Sequence, residues 1–507
     1  MTAETGTPAP DPTPGAAPFD HHGGPRPRGI SRVPRSLHDT GRFGRLFRQL
    51  EPLVLSDEQL LAVAQQMADT GVPGGGWTST PGTGDVPGLP AGYTYLGQFV
   101  DHDLTFDPVS LLTGAVDPDG LENFRTPRFD LDSLYGGGPG VSPWLYDKDD
   151  PDKLLVGNTL GDVNDVPRNW QGRALLGDPR NDVHQIIVQL HLAFIRFHNA
   201  VVDQVRADPT LVGAVPATPT AGWAPSPVAP ALPGFPQVST LVRWHYQWLV
   251  LRELLPRIVG QALADDVLKP GKGRGKDAPT RLKAELELYR VRARAWMPLE
   301  FSAAAYRFGH TLVRDSYQLN DSVGPLPVFA ATGDDLRGSR PIPAGWDIQW
   351  SRFFDGLPTS APGRTQVARA FDTKLASALG ALPTDIDHGG RPLALLNLLR
   401  GRALELPSGE DVAAAVAAAT GEPVSSVATG LPHPAPLWFW ILREAEALGG
   451  QHLGPVGGRI VAETLVGVAD RDKASFLRAQ PDWVPTLGPT TGRFSVADLL
   501  STAGATP

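Results

Sequence analysis

The 507-residue sequence contains no cysteine and only three methionines. The missing thiols exclude disulfides, thiolate nucleophiles, thiolate ligation of an iron and iron–sulfur clusters together. Any metal must rest on histidine, carboxylate or carbonyl groups. No stretch approaches the ~18 apolar residues of a membrane-spanning helix, so no membrane span is expected. The N-terminal residues also lack the apolar centre of a signal peptide. These absences predict a cytoplasmic protein, or one secreted by a route without a standard signal peptide. A basic surplus is missing too: 45 Lys and Arg stand against 54 Asp and Glu, with both signs interspersed. That leaves no electrostatic footprint for nucleic acid and favours small or neutral partners.

Residues 1–35 are rich in Pro and Gly without periodicity, a composition that cannot offset ordering entropy by burial, and are expected to be a disordered tail. Residues 36–505 are expected to form one domain, interrupted by a Pro/Ala-rich surface insertion at 208–238. Apolar residues recurring at three and four predict helices in 39–50, after Ser56 as N-cap, and over 181–206, 239–267, 280–315, 364–380, 391–404, 409–420, 435–449 and 457–468. Alternating strand patterns are scarce. The fold class is therefore all-α, mostly helical with little strand. The basic stretch GKGRGK at 271–276 lacks the spacing of a phosphate loop and reads as a solvated turn.

Two segments carry the chemistry. In 95–108, YLGQFVDHDLTFDP, Gln98, Asp101 and His102 are spaced by three and four and share one helix face. In 301–313, FSAAAYRFGHTLV, His310 stands among Phe301, Ala304, Ala305, Phe308 and Leu312 on what reads as an apolar helix presenting one ligand. Either histidine alone reads more readily as a core residue with satisfied nitrogens. Together, with no thiolate rival, they permit one axial iron ligand and one acid/base facing it across a porphyrin. Splitting peroxide needs such a base, to take a proton from the inner oxygen and return it to the outer. Arg180 and Gln98 are the candidate cation and amide that would stabilise the developing charge, and Arg180 would also keep His102 neutral. The alternation Thr126, Arg128, Asp130, Asp132, with Asp103 as a further carboxylate, suits a hard cation, although such turns more often carry plain turn chemistry.

In order, Gln98-Phe-Val-Asp101-His102-Asp103, Thr126 to Tyr135, Gly177-Asp-Pro-Arg180, Arg196-Phe-His198-Asn199, Arg307-Phe-Gly-His310 and Asn397-Leu-Leu-Arg400 resemble the animal-type haem peroxidases of the peroxidase-cyclooxygenase superfamily, its bacterial members most nearly. The resemblance spans about 40 to 500. It implies haem between a distal and a proximal helix, with His102, Arg180 and Gln98 catalytic and His310 the iron ligand. Asn397 would accept a hydrogen bond from the other ring nitrogen of His310, and Arg307 and Arg400 would face the haem propionates. It further implies calcium on Asp103, Thr126, Asp130, Asp132 and the Arg128 carbonyl.

The implied activity is reduction of hydrogen peroxide through a ferryl intermediate while a small organic or halide substrate is oxidised, with a place in the response to oxidative stress. The family often esterifies haem to two carboxylates. Asp101 matches the first, whereas Val183 occupies the second, so at most one ester link is implied, through Asp101. Asp182 is turned away, and His184 reads as edging the haem or lying on the helix surface. A fatty-acid dioxygenase is the alternative, but the radical-bearing Tyr of those branches stands three residues before the proximal His, where this chain has Arg307. Tyr306 stands four before. A non-catalytic haem-fold binding protein would not need Gln98, His102 and Arg180 together.

Overall fold

Helices begin where something can satisfy their first amides. Ser56 caps α1 (Asp57–Gln66) as the sequence predicts, its hydroxyl accepting from Gln59 N while the Gln59 side chain returns a bond to Ser56 N. The computed structural model describes residues 41–68, 85–106, 122–123, 125–157, 161–213, 215, 233–271, 281–290, 294–330, 332–383 and 390–505. The predicted disordered tail, most of the 208–238 insertion and the GKGRGK turn beyond Gly271 lie outside the described residues. The other helices of ten or more described residues are α2 (Gly92–Leu104), α3 (Gln185–Ala207), α4 (Phe235–Leu249), α5 (Leu393–Ala403), α6 (Gly409–Thr420), α7 (Leu437–Ala447) and α8 (Pro455–Arg471). The architecture is mostly helical, as expected. One connected cluster of buried apolar side chains runs from Phe47 to Ala503.

Strands are short. Gly41–Gly44 pairs antiparallel with Glu122–Asn123 (Gly41 opposite Asn123) and parallel with Met297–Pro298 (Phe43 opposite Met297). Asp85–Pro90 pairs antiparallel with Val367–Arg369. These pairings overturn two helix expectations. The amphipathic piece within 39–50 opens as a strand, and 364–380 holds a strand plus the 3₁₀ turn Ser377–Leu379 instead of a helix. In both, long-range ladder bonds outweigh a local helical period that is too short to nucleate on its own.

Likewise 280–315 is not continuous helix. It begins with the strand Arg281–Ala284, and the helix Leu299–Ala303 breaks where Ala304 leaves the helical region (φ −135°, ψ −76°). A 3₁₀ turn, Ala305–His310, follows. Asp132–Tyr135, inside a predicted loop, is one turn of helix. The 239–267 stretch starts earlier, at Phe235, and holds a π-helical turn at Val250–Leu254.

The strand pair ending at Pro90 aims α2. Ala91 N donates to Gln366 O at 2.8 Å and Gly92 N to Phe353 O at 2.7 Å. A Cβ on Gly92 would meet Phe353 O at 2.5 Å, so only glycine permits this close entry. At the far end Asn123 Nδ2 donates to Leu104 O at 2.8 Å while its Oδ1 accepts from Phe106 N and Arg125 N. α2 is thus clamped at both ends.

Candidate functional site

α2 is buried on every side except at Gln98 and Asp101, three apart on one face, and each is partly open. His102, on the same face, is 6% exposed. In the Ala305–His310 turn, Arg307, Gly309 and His310 are also partly open although their neighbours Tyr306 and Phe308 are buried. Burial lowers the Arg307 pKa, and the guanidinium lies in the field of Asp101, then of Arg400 and Arg180. A group both desolvated and partly open lines an internal cleft. Tyr306 Oη donates to Gly97 O at 3.3 Å, tying the turn directly to α2. A Cβ at Gly309 would find no atom within 4 Å, so space stands open beside His310. The field on Arg307 thus places Asp101, Arg180 and Arg400 near the turn that carries His310, and Gln98 and His102 share the Asp101 face of α2.

On the α2 side, Arg180 Nη2 donates to the His102 carbonyl at 3.0 Å, and its Nε and Nη2 engage Asp178 at 3.2 and 2.8 Å. Burial opposes ionisation of Asp178, but Arg180 and Arg125 override it and hold the carboxyl well below its usual range. Burial, reinforced by Arg180, lowers His102 to about 4, so the imidazole is neutral near pH 7. His102 Nδ1 lies 2.7 Å from Asn181 Oδ1, and Asn181 Nδ2 lies 3.0 Å from His191 Nδ1. The expected base, His102, is met here by Asn181 and, through it, by His191, two residues that the sequence did not single out. Asn181 directly follows Arg180, a signal available in hindsight; His191 sits inside a helix pattern that reads as plain core.

Asp101 Oδ1 accepts from Thr105 Oγ1 at 2.9 Å. Val183 is 47% exposed, and both oxygens of Asp182 are held by Arg168 at 2.7 and 2.8 Å. Asp182 is therefore committed elsewhere. His184 is neither on the helix surface nor at the cleft residues: it caps α3, Nδ1 accepting from Ile186 N at 3.2 Å, and stacks on Tyr95.

On the other side, burial and then the Arg307 charge lower His310 to about 3. Asn397, one turn before Arg400 on α5, sits 2.8 Å from His310 Nδ1. The polarity differs from expectation: the amide nitrogen faces the ring, because Arg307 Nη1 takes the Asn397 oxygen at 3.4 Å. Arg307 Nε also donates to Ser302 O at 3.0 Å, capping the broken helix. In a 3₁₀ turn residues three apart eclipse, so Arg307 shares the His310 face and Tyr306 does not. Trp438 stands nearly perpendicular to His310 with ring centroids 6.5 Å apart, a further neighbour that the sequence did not reveal.

Asp103, Asp130 and Asp132 each bring an oxygen within 4.8 Å of the others. Burial raises the Asp103 pKa, and Asp130 and Asp132 raise it further; its Oδ1 is buried without a hydrogen bond. Thr126 Oγ1 donates to Asp130 at 2.6 Å, and Arg128 lies in the same turn. This donor set, all oxygen and strongly anionic, fits a hard divalent cation. Arg125, fully buried, joins Asp132 at 2.7 Å to Asp178 at 2.5 Å, linking the carboxylate cluster to Arg180. The Arg196–Asn199 motif does other work: Asn199 bonds Leu154, Arg196 bonds Val163 and Asn164, and His198 bonds Tyr135 and Asp152.

A profile of the animal haem peroxidase family matches residues 123–417. The chain belongs to the animal haem peroxidase family. No curated protein matches the sequence. Among solved structures, peroxidase A from Dictyostelium discoideum has a TM-score of 0.53 at 14% identity, over 86% of this chain and 88% of that one. A fatty acid alpha-dioxygenase from Oryza sativa has a TM-score of 0.54 at 14% identity, over 85% and 77%. The Arabidopsis thaliana alpha-dioxygenase has 0.51 at 13%, over 90% and 75%. At these identities the likeness is one of fold. The family is an oxidoreductase and haem family, and the cleft suits haem: a desolvated histidine beside open space, with two arginines in one field. No helix among the described residues is long and apolar enough to cross a membrane.

Proposed function

We propose that this animal haem peroxidase family member is a peroxidase, using hydrogen peroxide to oxidise a small organic or halide substrate. The observation that carries this reading is His102, buried with its pKa lowered and its backbone held by Arg180, on the helix that Tyr306 ties to the turn carrying His310. Bound haem supplies the iron at which peroxide is split and the oxidising equivalents are stored. His102 Nε2 would take the proton from the inner peroxide oxygen and deliver it to the outer one, which leaves as water. Arg180 would oppose charge growing on the departing oxygen, and the Gln98 amide would orient it. Asp178 holds Arg180 in place for that task.

His310 would ligate through Nε2. Its Nδ1 would then carry a proton, and Asn397 would turn its oxygen toward the ring; the two orientations of an amide have the same shape. Arg307 and Arg400 would pair with the propionates, Asp101 would form the single ester, and calcium would sit on Asp103, Asp130 and Asp132 with Thr126 and the Arg128 carbonyl. The dioxygenase reading is disfavoured because Tyr306 points its hydroxyl at the Gly97 carbonyl. The test is haem titration of His310→Ala, followed by peroxide turnover of the native chain with phenols, bromide, iodide and a polyunsaturated fatty acid. Loss of stoichiometric haem in the variant, with oxidation of phenols or halides by the native chain, is expected. A native Soret band in the variant, or turnover of the fatty acid alone, would overturn the reading.

A further inference from the structure

Asn181, between the catalytic arginine and the helix that follows, is wholly buried and touches two histidines at once. We propose that Asn181 and His191 form a tautomer lock, holding the His102 proton on Nδ1 so that Nε2 is left bare to act as a base. This inference rests on the reading of His102 as the proton-transferring group.

A carboxamide has one end that only accepts and one that only donates. Oδ1 lies 2.7 Å from His102 Nδ1, so that nitrogen must carry a hydrogen to give. Nδ2 lies 3.0 Å from His191 Nδ1, so that nitrogen must offer a lone pair. The two rings are thereby forced into opposite tautomers: His102 is protonated at Nδ1, His191 at Nε2. Turning the amide over would reverse both together and put a hydrogen on His102 Nε2, which could then not take a proton from peroxide. With Asn181 0% and His191 1% exposed, water has no access to replace either bond. An unmade bond would be left as a buried, unsatisfied group.

The scaffold holds the outer ring still. His191 packs at a steep angle on Phe99 with ring centroids 6.0 Å apart, and Phe99 stacks on Phe194 at 4.4 Å. Phe99 belongs to α2, the helix of His102 itself, so the lock packs on the helix that carries the ring it fixes. Burial lowers the His191 pKa to about 3, which keeps its Nδ1 lone pair available across the neutral range. Neither Asn181 nor His191 needs to touch peroxide. They are positioning residues, acting through His102.

The test uses the full-length chain, ¹⁵N-labelled at histidine and prepared without haem, with the two nitrogens of each ring assigned by NMR at pH 7. His102 should show Nδ1–H and His191 Nε2–H. His191→Phe should shift the His102 tautomer ratio toward Nε2–H by about 5- to 30-fold, the worth of one or two kcal/mol of lost pairing. His191→Gln, which offers Asn181 an amide oxygen, should restore it. After haem loading, the peroxide step should slow in the Phe variant and recover in the Gln variant. Three results would overturn the lock: Nε2–H on His102 in the native chain, a ratio unmoved by His191→Phe, or equal effects of Phe and Gln. The native measurement needs no variant to fold. If instead His102→Ala reacts with peroxide at the native rate while the tautomers are as stated, the lock stands and the catalytic reading of His102 fails.

Discussion

At the scale of single residues, His102 and Asp101 give the sharpest expectations. Loss of a general base costs about 10²–10⁴-fold, so His102→Ala should slow the peroxide reaction by that order in stopped flow while haem stays bound. Because the folded pKa is depressed to about 4 from 6.5, the native rate should be level from near neutrality down to about pH 5 and fall only as pH drops through 4. A midpoint near 6.5 would mean that the base is not this buried ring. Asp101 is the only carboxylate on the open face of α2, Val183 carries none, and Arg168 occupies Asp182. Exposure to peroxide should therefore raise the share of haem that resists acid-butanone extraction, and Asp101→Ala should release all of it. Haem still bound to that variant by mass spectrometry would point to a different carboxylate.

At the scale of elements, the carboxylate cluster and Arg180 are one unit, because Arg125 bridges Asp132 and Asp178, and Asp178 grips Arg180. Removing a buried cation from two anions is costly: Arg125→Met should destabilise the chain by about 3–5 kcal/mol, read by denaturant unfolding. Calcium should raise the thermal midpoint of the native chain and do so far less for Asp132→Ala. An unchanged midpoint on adding calcium to chelator-treated protein would argue against a cation there. The same scale explains the misread segments. A 3₁₀ turn at Ala305–His310 and a strand at Val367–Arg369 owe their form to partners far away in sequence, which no local period encodes.

At the scale of the whole molecule, α7 is joined to α8 by a buried acid. Glu444 accepts from Val456 N and Gly457 N at the start of α8, yet burial outweighs those bonds and raises its pKa to about 7. The sign follows directly: between about 4.5 and 7 the folded chain keeps a proton that the unfolded chain has lost, so this group's contribution falls as pH rises through that window. Relative to Glu444→Gln, native stability should decline from pH 4.5 to 7 by on the order of 3 kcal/mol. Parallel pH curves for the two proteins would contradict the burial argument.

How much could be read beforehand divides by range. The sequence alone determined the helical class, the cap of α1, the apolar faces of α3 and α5 to α8, and the residue types at His102, Arg180, His310 and the aspartate turn, since helical spacing and donor chemistry are local properties. It also excluded thiolate chemistry, because composition is complete without a fold. Tertiary structure decided the rest. Asn181 and His191 became partners of His102, Arg125 joined the aspartates to the arginine, and His184 turned from a surface or cleft candidate into a helix cap. Each of these depends on which buried donor meets which buried acceptor. That is settled only when the chain has closed and every polar group without water must find its partner.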